Sequence, residues 1–305
     1  MEREQIRISV RNLVEFILRS GDIDNRRASL DTMEAMQAGS RLHRKIQKKM
    51  GSTYHAEVPL NIIIEEENYE LGIWGRADGI IIEETVTIDE IKGVYLSLDL
   101  LEEPVKVHLA QAKCYAYIYG IQNDLQKINV QMTYGNLDTG DLKYFSYEYS
   151  MQQLQEWFSD LILKYKKWAD FQYEWRKKRQ ASIKELAFPF PYREGQKELA
   201  AGVYRTIARK KNLFIQAPTG VGKTISTLYP AIKAVGEGLG DKIFYLTAKT
   251  VTANVAKETL GILCEKGYRA KSVQITAKEK LCPCEEVDCN PVSCPYAKGH
   301  FDRVN

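Results

Sequence analysis

The sequence predicts an α/β fold in two successive parts, and three observations carry the prediction. Residues 8–150 read in order as helices, a run of alternating strands, a helix and two further strands. A long amphipathic helical pattern follows and ends in the polar run Gln180 to Lys184. Beyond it the apolar run Asn212-Leu-Phe-Ile-Gln216 enters a glycine-bearing loop that opens a helix, the strand–loop–helix unit of a parallel sheet. The expected architecture is a mixed sheet flanked by helices over residues 1–180 and a linker at 181–186. A second, partial α/β domain with a cysteine-rich insertion follows over 187–305.

Within the first part, residues 8–50 are helical in pattern. Ile8, Val10, Leu13, Val14, Phe16, Ile17 and Leu18 supply one apolar face, and a second helix runs from Met33 to Met50. Strand chemistry takes over at Val58–Ile64, Tyr69–Ile82 and Val86–Ile91. Glu66-Glu67-Asn68 and Glu83-Glu84-Thr85 form the turns, so the three make an antiparallel meander. A helix over 105–119 precedes strands at about 127–136 and 142–149. Ser150 and Gln153 have the spacing of a capping box that starts the long helix, which runs through Arg179. That helix interleaves Lys164, Lys166, Lys167 and the run Arg176 to Arg179 with Tyr165, Trp168, Phe171, Tyr173 and Trp175. Such a surface can track a DNA strand by phosphate contact and base stacking. Alternatively, the aromatics pack inward while the charges stay solvated.

Composition narrows the class. No stretch approaches the roughly 20 apolar residues that span a bilayer, and the charged N-terminus lacks the apolar segment of a signal peptide. A cytoplasmic protein with no membrane partner is expected. The net charge of +3 is too small to argue for nucleic acid by itself. Cysteine says more, because Cys282, Cys284, Cys289 and Cys294 fall within thirteen residues while Cys114 and Cys264 stand apart. In a reducing compartment such a group points to metal before disulfides.

The first part carries residues suited to metal-dependent phosphodiester cleavage. Asp78 lies in Gly75-Arg-Ala-Asp-Gly79 near the end of one strand, and Glu90-Ile91-Lys92 in the next. Strand alternation puts Glu90 and Lys92 on one face, within reach of Asp78 across the hairpin. Two carboxylates at close quarters call for a cation between them, Mg²⁺ or Mn²⁺. The lysine can orient the attacking water and stabilise charge on the phosphate. Asp89 is expected to face outward in a structural role, and His55 and His108 to serve packing.

With Gly39-x-x-x-His43 upstream and Gln111-x-x-x-Tyr115 downstream, residues 8–150 resemble the PD-(D/E)xK nuclease superfamily. The closest likeness is to its RecB-like branch, which includes a CRISPR-associated exonuclease. The resemblance implies that His43, Asp78, Glu90 and the backbone carbonyl of Ile91 are metal ligands. It makes Lys92 catalytic, with Gln111 and Tyr115 supporting the lysine and the DNA. Relatives often hold an iron–sulfur cluster inside this domain; only Cys114 is present here, so none is expected there.

In the second part, residues 217–224 fit the phosphate-loop pattern G-x-x-x-x-G-K-S/T, with Ala217 in place of the first glycine. Thr219, Gly220 and Gly222 would let backbone N–H groups face the phosphates of ATP. Lys223 would reach the β- and γ-phosphates, and Thr224 would hold Mg²⁺. The helix continues to about Val235, across Pro230. Upstream, Tyr192-Arg193-x-x-Gln196 resembles the adenine-reading motif of superfamily 2 helicases, in which the ring packs on the base and the glutamine reads its edge. Downstream, the strand Lys242–Thr247 leads into Ala-Lys249-Thr250. This segment resembles a helicase motif that grips single-stranded DNA, through Thr247, Lys249 and Thr250.

The spacing Cys-x-Cys-x₄-Cys-x₄-Cys leaves zinc and a 4Fe–4S cluster both open. The flanks Lys278–Cys282 and Cys294–Arg303 resemble the borders of the cluster insertion in the XPD/DinG helicase family, which implies iron–sulfur and a wedge at the duplex fork. The combined expectation is a RecB-like nuclease joined to the first part of an XPD/DinG-type motor, acting on single-stranded or forked DNA. No Asp-Glu-x-His motif follows the cysteines, so these 305 residues alone are expected neither to hydrolyse ATP efficiently nor to unwind DNA. The rival reading is a DNA-binding scaffold with an inactive nuclease fold and a zinc site.

Overall fold

The computed structural model describes residues 3–26, 32–218, 220–248 and 250–304. The chain divides into two compact units, the first comprising Met1–Asp170 with Cys284–Asn305 and the second Phe171–Pro283. Strand β1 (Gln5–Ser9) and helices α1 (Val10–Leu18) and α2 (Thr32–Gln47) open the first unit. The meander β2 (Tyr54–Glu65), β3 (Glu70–Ile81) and β4 (Thr87–Val94) follows. Helix α3 (Lys106–Gln122), strands β5 (Lys127–Asn136) and β6 (Leu142–Ser150) and helix α4 (Met151–Glu185) come next, and the division between the units falls inside α4. The result is a mixed six-stranded sheet with helices against it.

Pairing is antiparallel for β2–β3, β3–β4 and β5–β6, and parallel for β4–β5 across the α3 crossover. Strand β1 corrects the helical reading of residues 8 and 9. It pairs parallel with β3, buries Ile6, and its last residue Ser9 accepts from Asn12 N–H at 3.2 Å to cap α1. At the start of α4 the capping box forms as expected. Ser150 N–H donates to Gln153 Oε1 at 2.9 Å, and Gln153 N–H donates to Ser150 Oγ at 3.2 Å.

The β3 ladder positions the site. Strand β2 covers one edge of β3 along its whole length. The other edge is shared, with β1 pairing at 70–74 and β4 only at 79–81. Residues 75–78 on that edge therefore have no strand neighbour, and the β3–β4 ladder stops one pair short of Asp78 and Glu90. Above the fork, Leu42 and Ile46 of α2 pack on buried Ile91 of β4, which holds α2 over the sheet. Helix α3 is buried almost all round through Ala112, Cys114, Ala116 and Ile118, as a crossover helix must be.

The second unit contains the second half of α4, with α5 (Gln196–Ala208), α6 (Lys223–Gly236), α7 (Thr250–Glu265) and the short α8 (Lys278–Leu281). Its core gathers Ile183, Leu186, Ile225, Ile232, Val235, Leu263 and Tyr268. The strands expected at 212–216 and 242–247 do not pair. Neither segment joins a ladder among the described residues, and Phe214 is 96% and Leu246 88% exposed. A parallel strand needs a neighbour on each side to satisfy its backbone and cover its side chains, and the described residues supply none.

Candidate functional site

Residues 75–78 of β3, with no strand neighbour on the edge away from β2, form the floor of the site. Asp78 Oδ2 accepts from Ile91 N–H at 2.9 Å, which bridges the fork where the ladder has ended. Its other oxygen, Oδ1, lies 3.4 Å from His43 Nδ1 on α2. Glu57 of β2 completes a triad. His43, Glu57 and Asp78 each present a ligand atom within 4.8 Å of the others, the one such group among the described residues. The sequence reading missed Glu57. The β2–β3 register jumps from Ala56–Gly79 to Val58–Ala77, and Glu57 takes a positive φ of 57°, rare for a residue with a side chain. The bulge turns its carboxylate into the site, where Gln47 Nε2 donates to it at 3.0 Å and Arg76 Nε pairs with it at 2.6 Å. No local pattern in Ala56-Glu57-Val58 announces that bulge.

Beside the triad, Lys92 Nζ donates to Glu90 Oε1 at 2.6 Å and to Gln111 Oε1 at 3.4 Å. Gln111 Nε2 in turn lies 3.5 Å from Tyr115 Oη, which also receives Arg76 N–H at 3.4 Å. His108, Gln111 and Tyr115 share one face of α3. Glu90 is fully buried, and its Oε2 has no hydrogen-bond partner. Burial, only partly offset by Lys92, pushes its carboxyl up to about 8, and the charge of Asp78 adds to the rise. A buried carboxylate oxygen with nothing to bind, near a second carboxylate, fits a divalent cation.

One neighbouring residue differs from expectation. Asp89 does not face outward; it is fully buried on the opposite face of β4, accepting from Tyr54 Oη at 3.0 Å, Thr133 Oγ1 at 2.5 Å and Gln131 Nε2 at 3.3 Å. A central strand covered on both faces leaves no outward side. His108 Nδ1 lies 3.0 Å from Tyr134 Oη, and burial holds its imidazole down to about 4, so it is neutral at physiological pH. The tight fit of the floor gives a testable consequence. A Cβ on Gly75 would stand 2.6 Å from the ring and hydroxyl of Tyr115. Gly75→Ala is therefore expected to cost about 1–3 kcal/mol by overpacking and to displace Tyr115. Denaturant unfolding and the near-ultraviolet tyrosine signal would register both.

In the second unit the glycine-bearing loop expected to bind phosphate leads into α6, whose N-cap Gly222 and nearby Gly220 have φ of 75° and 85°. Only glycine takes such angles without strain, and they turn the loop back on itself. Lys223 Nζ donates to the carbonyls of Ala217 at 2.9 Å and Pro218 at 2.7 Å. The lysine is thus folded over the hollow of the loop. Gln196 is buried; its Oε1 accepts from Arg193 N–H at 3.0 Å, and its Nε2 donates to Val221 O at 3.2 Å. It therefore latches α5 to the loop, and the Arg193 guanidinium donates to Gly220 O. Tyr192 stacks on Phe188 at 4.1 Å with its other face exposed. Thr224, the second residue of α6, is half-buried, and Thr247 ends a segment that joins no ladder among the described residues. Thr219, Lys249 and the side chain of Thr250 lie outside the described residues.

Comparison with known proteins gives one partial match by sequence. A scan of protein-family models finds no match. One 51-residue segment, 16% of the chain, is 51% identical to the probable ATP-dependent helicase MJ0942 of Methanocaldococcus jannaschii. The chain spans 8% of that relative's length. It therefore contains a helicase-related segment. Among solved structures, the crystal structure of SSO0001 overlaps 53% of this chain and 78% of its own at 20% identity and a TM-score of 0.34, too low to carry an argument. No helix among the described residues is long and apolar enough to cross a membrane.

Cys289 and Cys294 are buried and Cys282 and Cys284 half-buried, and no three of them form a metal-binding group among the described residues. Cys284, Cys289 and Cys294 belong to the first unit and Cys282 to the second. In the first unit their segment is fastened to residues 19–25. Asn25 N–H donates to Cys289 O at 2.8 Å, Ile23 N–H to Ala297 O at 2.9 Å and Phe301 N–H to Gly21 O at 2.9 Å. Arg19 lies 3.7 Å over the Phe301 ring.

Proposed function

We propose that the first unit is a metal-dependent deoxyribonuclease and that the second is a nucleotide-binding part of an ATP-driven DNA helicase of the XPD/DinG type, serving DNA repair or recombination. The observation that carries the reading is the convergence of His43, Glu57 and Asp78 on one point beside the buried Glu90–Lys92 pair. One imidazole and several carboxylate oxygens form a donor set suited to Mg²⁺ or Mn²⁺. His43, Asp78 and Glu90 would hold the ion, with the carbonyl of Ile91 and, added by the fold, Glu57. Such an ion supplies Lewis-acid polarisation of a phosphodiester and a more acidic water.

The remaining work falls to this chain's own side chains. Lys92 would hold the attacking water and neutralise the developing phosphate charge, oriented by Gln111 through its 3.4 Å contact. Tyr115 closes the wall next to the unpaired β3 edge, where the DNA backbone would lie. Asp78→Ala is expected to abolish Mn²⁺-dependent degradation of a labelled oligonucleotide. Cleavage persisting at the wild-type rate would return this unit to a non-catalytic DNA-binding role.

For the second unit, Lys223 would exchange the carbonyls of Ala217 and Pro218 for the phosphates of ATP. Thr219, Gly220 and Gly222 would line the loop, and Thr224 would hold Mg²⁺. Tyr192 would cover the adenine, whose edge Gln196 reads, and Thr247, Lys249 and Thr250 would hold the phosphates of a DNA strand. Lys223→Ala is expected to weaken binding of a fluorescent ATP analogue at least tenfold, measured by titration, with the fold unchanged by circular dichroism. The assignment of Cys282, Cys284, Cys289 and Cys294 to a 4Fe–4S cluster rests on their spacing and flanks, and no step above passes through it. Iron and zinc analysis after anaerobic purification tests it.

A further inference from the structure

Charge is divided unevenly between the units. The second carries 21 Lys and Arg against 9 Asp and Glu, while the first carries 22 against 31. The small net charge of the whole chain conceals a strongly basic second unit, which has the electrostatic character of a polyanion-binding domain. On that unit, Phe171 and Trp175 lie one helical turn apart on α4 with ring planes 12° from parallel and centroids 6.4 Å apart. Phe171 is 45% exposed, unusual for a phenylalanine with a core available, whereas Tyr173 on the same helix is buried. Their cover is a cation. Lys271 Nζ stands 3.7 Å from the Phe171 centroid and 4.7 Å from that of Trp175.

We propose that Phe171, Trp175 and Lys271 form a binding site for an unpaired nucleotide of a single strand. The site combines the two chemistries of that ligand. Two near-parallel aromatic faces take a base by stacking, and a lysine resting on them by cation–π attraction can swing to the adjoining phosphate. An apolar cover would have sealed the rings; a mobile ammonium leaves them available. Glu174, exposed on the same turn, is a nearby acidic group, and Lys178 one turn on offers a second phosphate contact. The inference rests on the reading of this unit as one that handles DNA, and it extends that reading to a site outside the phosphate loop.

The test is anisotropy with fluorescein-labelled oligothymidylate and an abasic oligomer of equal length, both titrated with the full chain in EDTA to silence cleavage. Wild type should bind the base-bearing strand about tenfold tighter than the abasic one. Phe171→Ala and Trp175→Ala should each remove most of that preference, Phe171→Tyr should restore it, and Lys271→Glu should weaken both strands together. Binding of the ATP analogue at the loop should be unchanged throughout. If wild type binds both strands but the preference survives Phe171→Ala and Trp175→Ala, the proposal fails while the DNA-handling reading stands. If wild type binds neither strand, both fail.

Discussion

Lys92→Ala is expected to lower Mn²⁺-dependent DNA cleavage by about 10²–10⁴-fold, the range for removal of a positioned general acid–base group. Two effects act together. The amine that would orient water and meet the phosphate is lost, and Glu90 loses the cation that pairs with it at 2.6 Å. Since Glu90 is fully buried, loss of Lys92 would push its carboxyl further up and hold it protonated in the metal-free protein, so a cation would have to displace that proton to bind there. Lys92→Arg separates the two effects. It restores the buried pair and thus stability, but a planar guanidinium does not reproduce the point donor of an ammonium, so cleavage should remain low. Initial rates on a labelled single strand, with unfolding midpoints for each variant, distinguish these outcomes. Equal rates for wild type and Lys92→Ala would remove the lysine from the chemistry.

The metal-free protein is expected to lose stability as pH rises from about 5 to above 8, and Glu90 is the cause. Its carboxyl is lifted from an ordinary 4.5 to about 8 in the folded state. Between those values the folded chain keeps a proton that the unfolded chain has released, so stability falls as pH rises through the window. The contribution is fully present below the unfolded value and gone above the folded one. For a group this deeply buried the effect is on the order of a few kcal/mol, a fall of several degrees in the melting temperature of the first unit. Glu90→Gln should flatten the profile, since the amide cannot ionise. Mn²⁺ should stabilise wild type more at pH 8.5 than at pH 6, because the ion competes with the proton for the same oxygens. Thermal melts at the two pH values, with Mn²⁺ or EDTA, test both. An apo profile identical in wild type and Glu90→Gln would exclude Glu90 as the source.

Much of this was legible in local sequence, and the exceptions share a physical origin. The Ser150–Gln153 box, the β2–β3–β4 meander and the common face of Glu90 and Lys92 depend on neighbours a few residues away, and each forms. Ile8 and Ser9 of β1 fall in a helical pattern because their partner strand, β3, lies more than sixty residues on, and parallel pairing leaves no mark in five residues. Glu57 was missed because only the register jump of β2 and a positive φ bring it in. Asp89 was placed outward because alternation marks which residues share a face but not whether both faces are covered. The turn before α6 was legible in Gly220 and Gly222, which take positive φ. The ladder expected around it was not realised, because a strand is a property of a pair.

The segments of the second unit that join no ladder have a further consequence. Phe214, Leu246 and Ile275, the last 90% exposed, lie outside any helix or strand among the described residues and leave large apolar side chains in water. The same unit carries the chain's excess of positive charge. Like charge holds copies apart while apolar side chains would draw them together, and ions weaken only the first of these forces. Colloidal behaviour is thereby inverted from the common case. The protein should stay dispersed in dilute buffer and cohere as ionic strength rises, and a polyanion lying along the basic surface would neutralise the repulsion at one place while covering it.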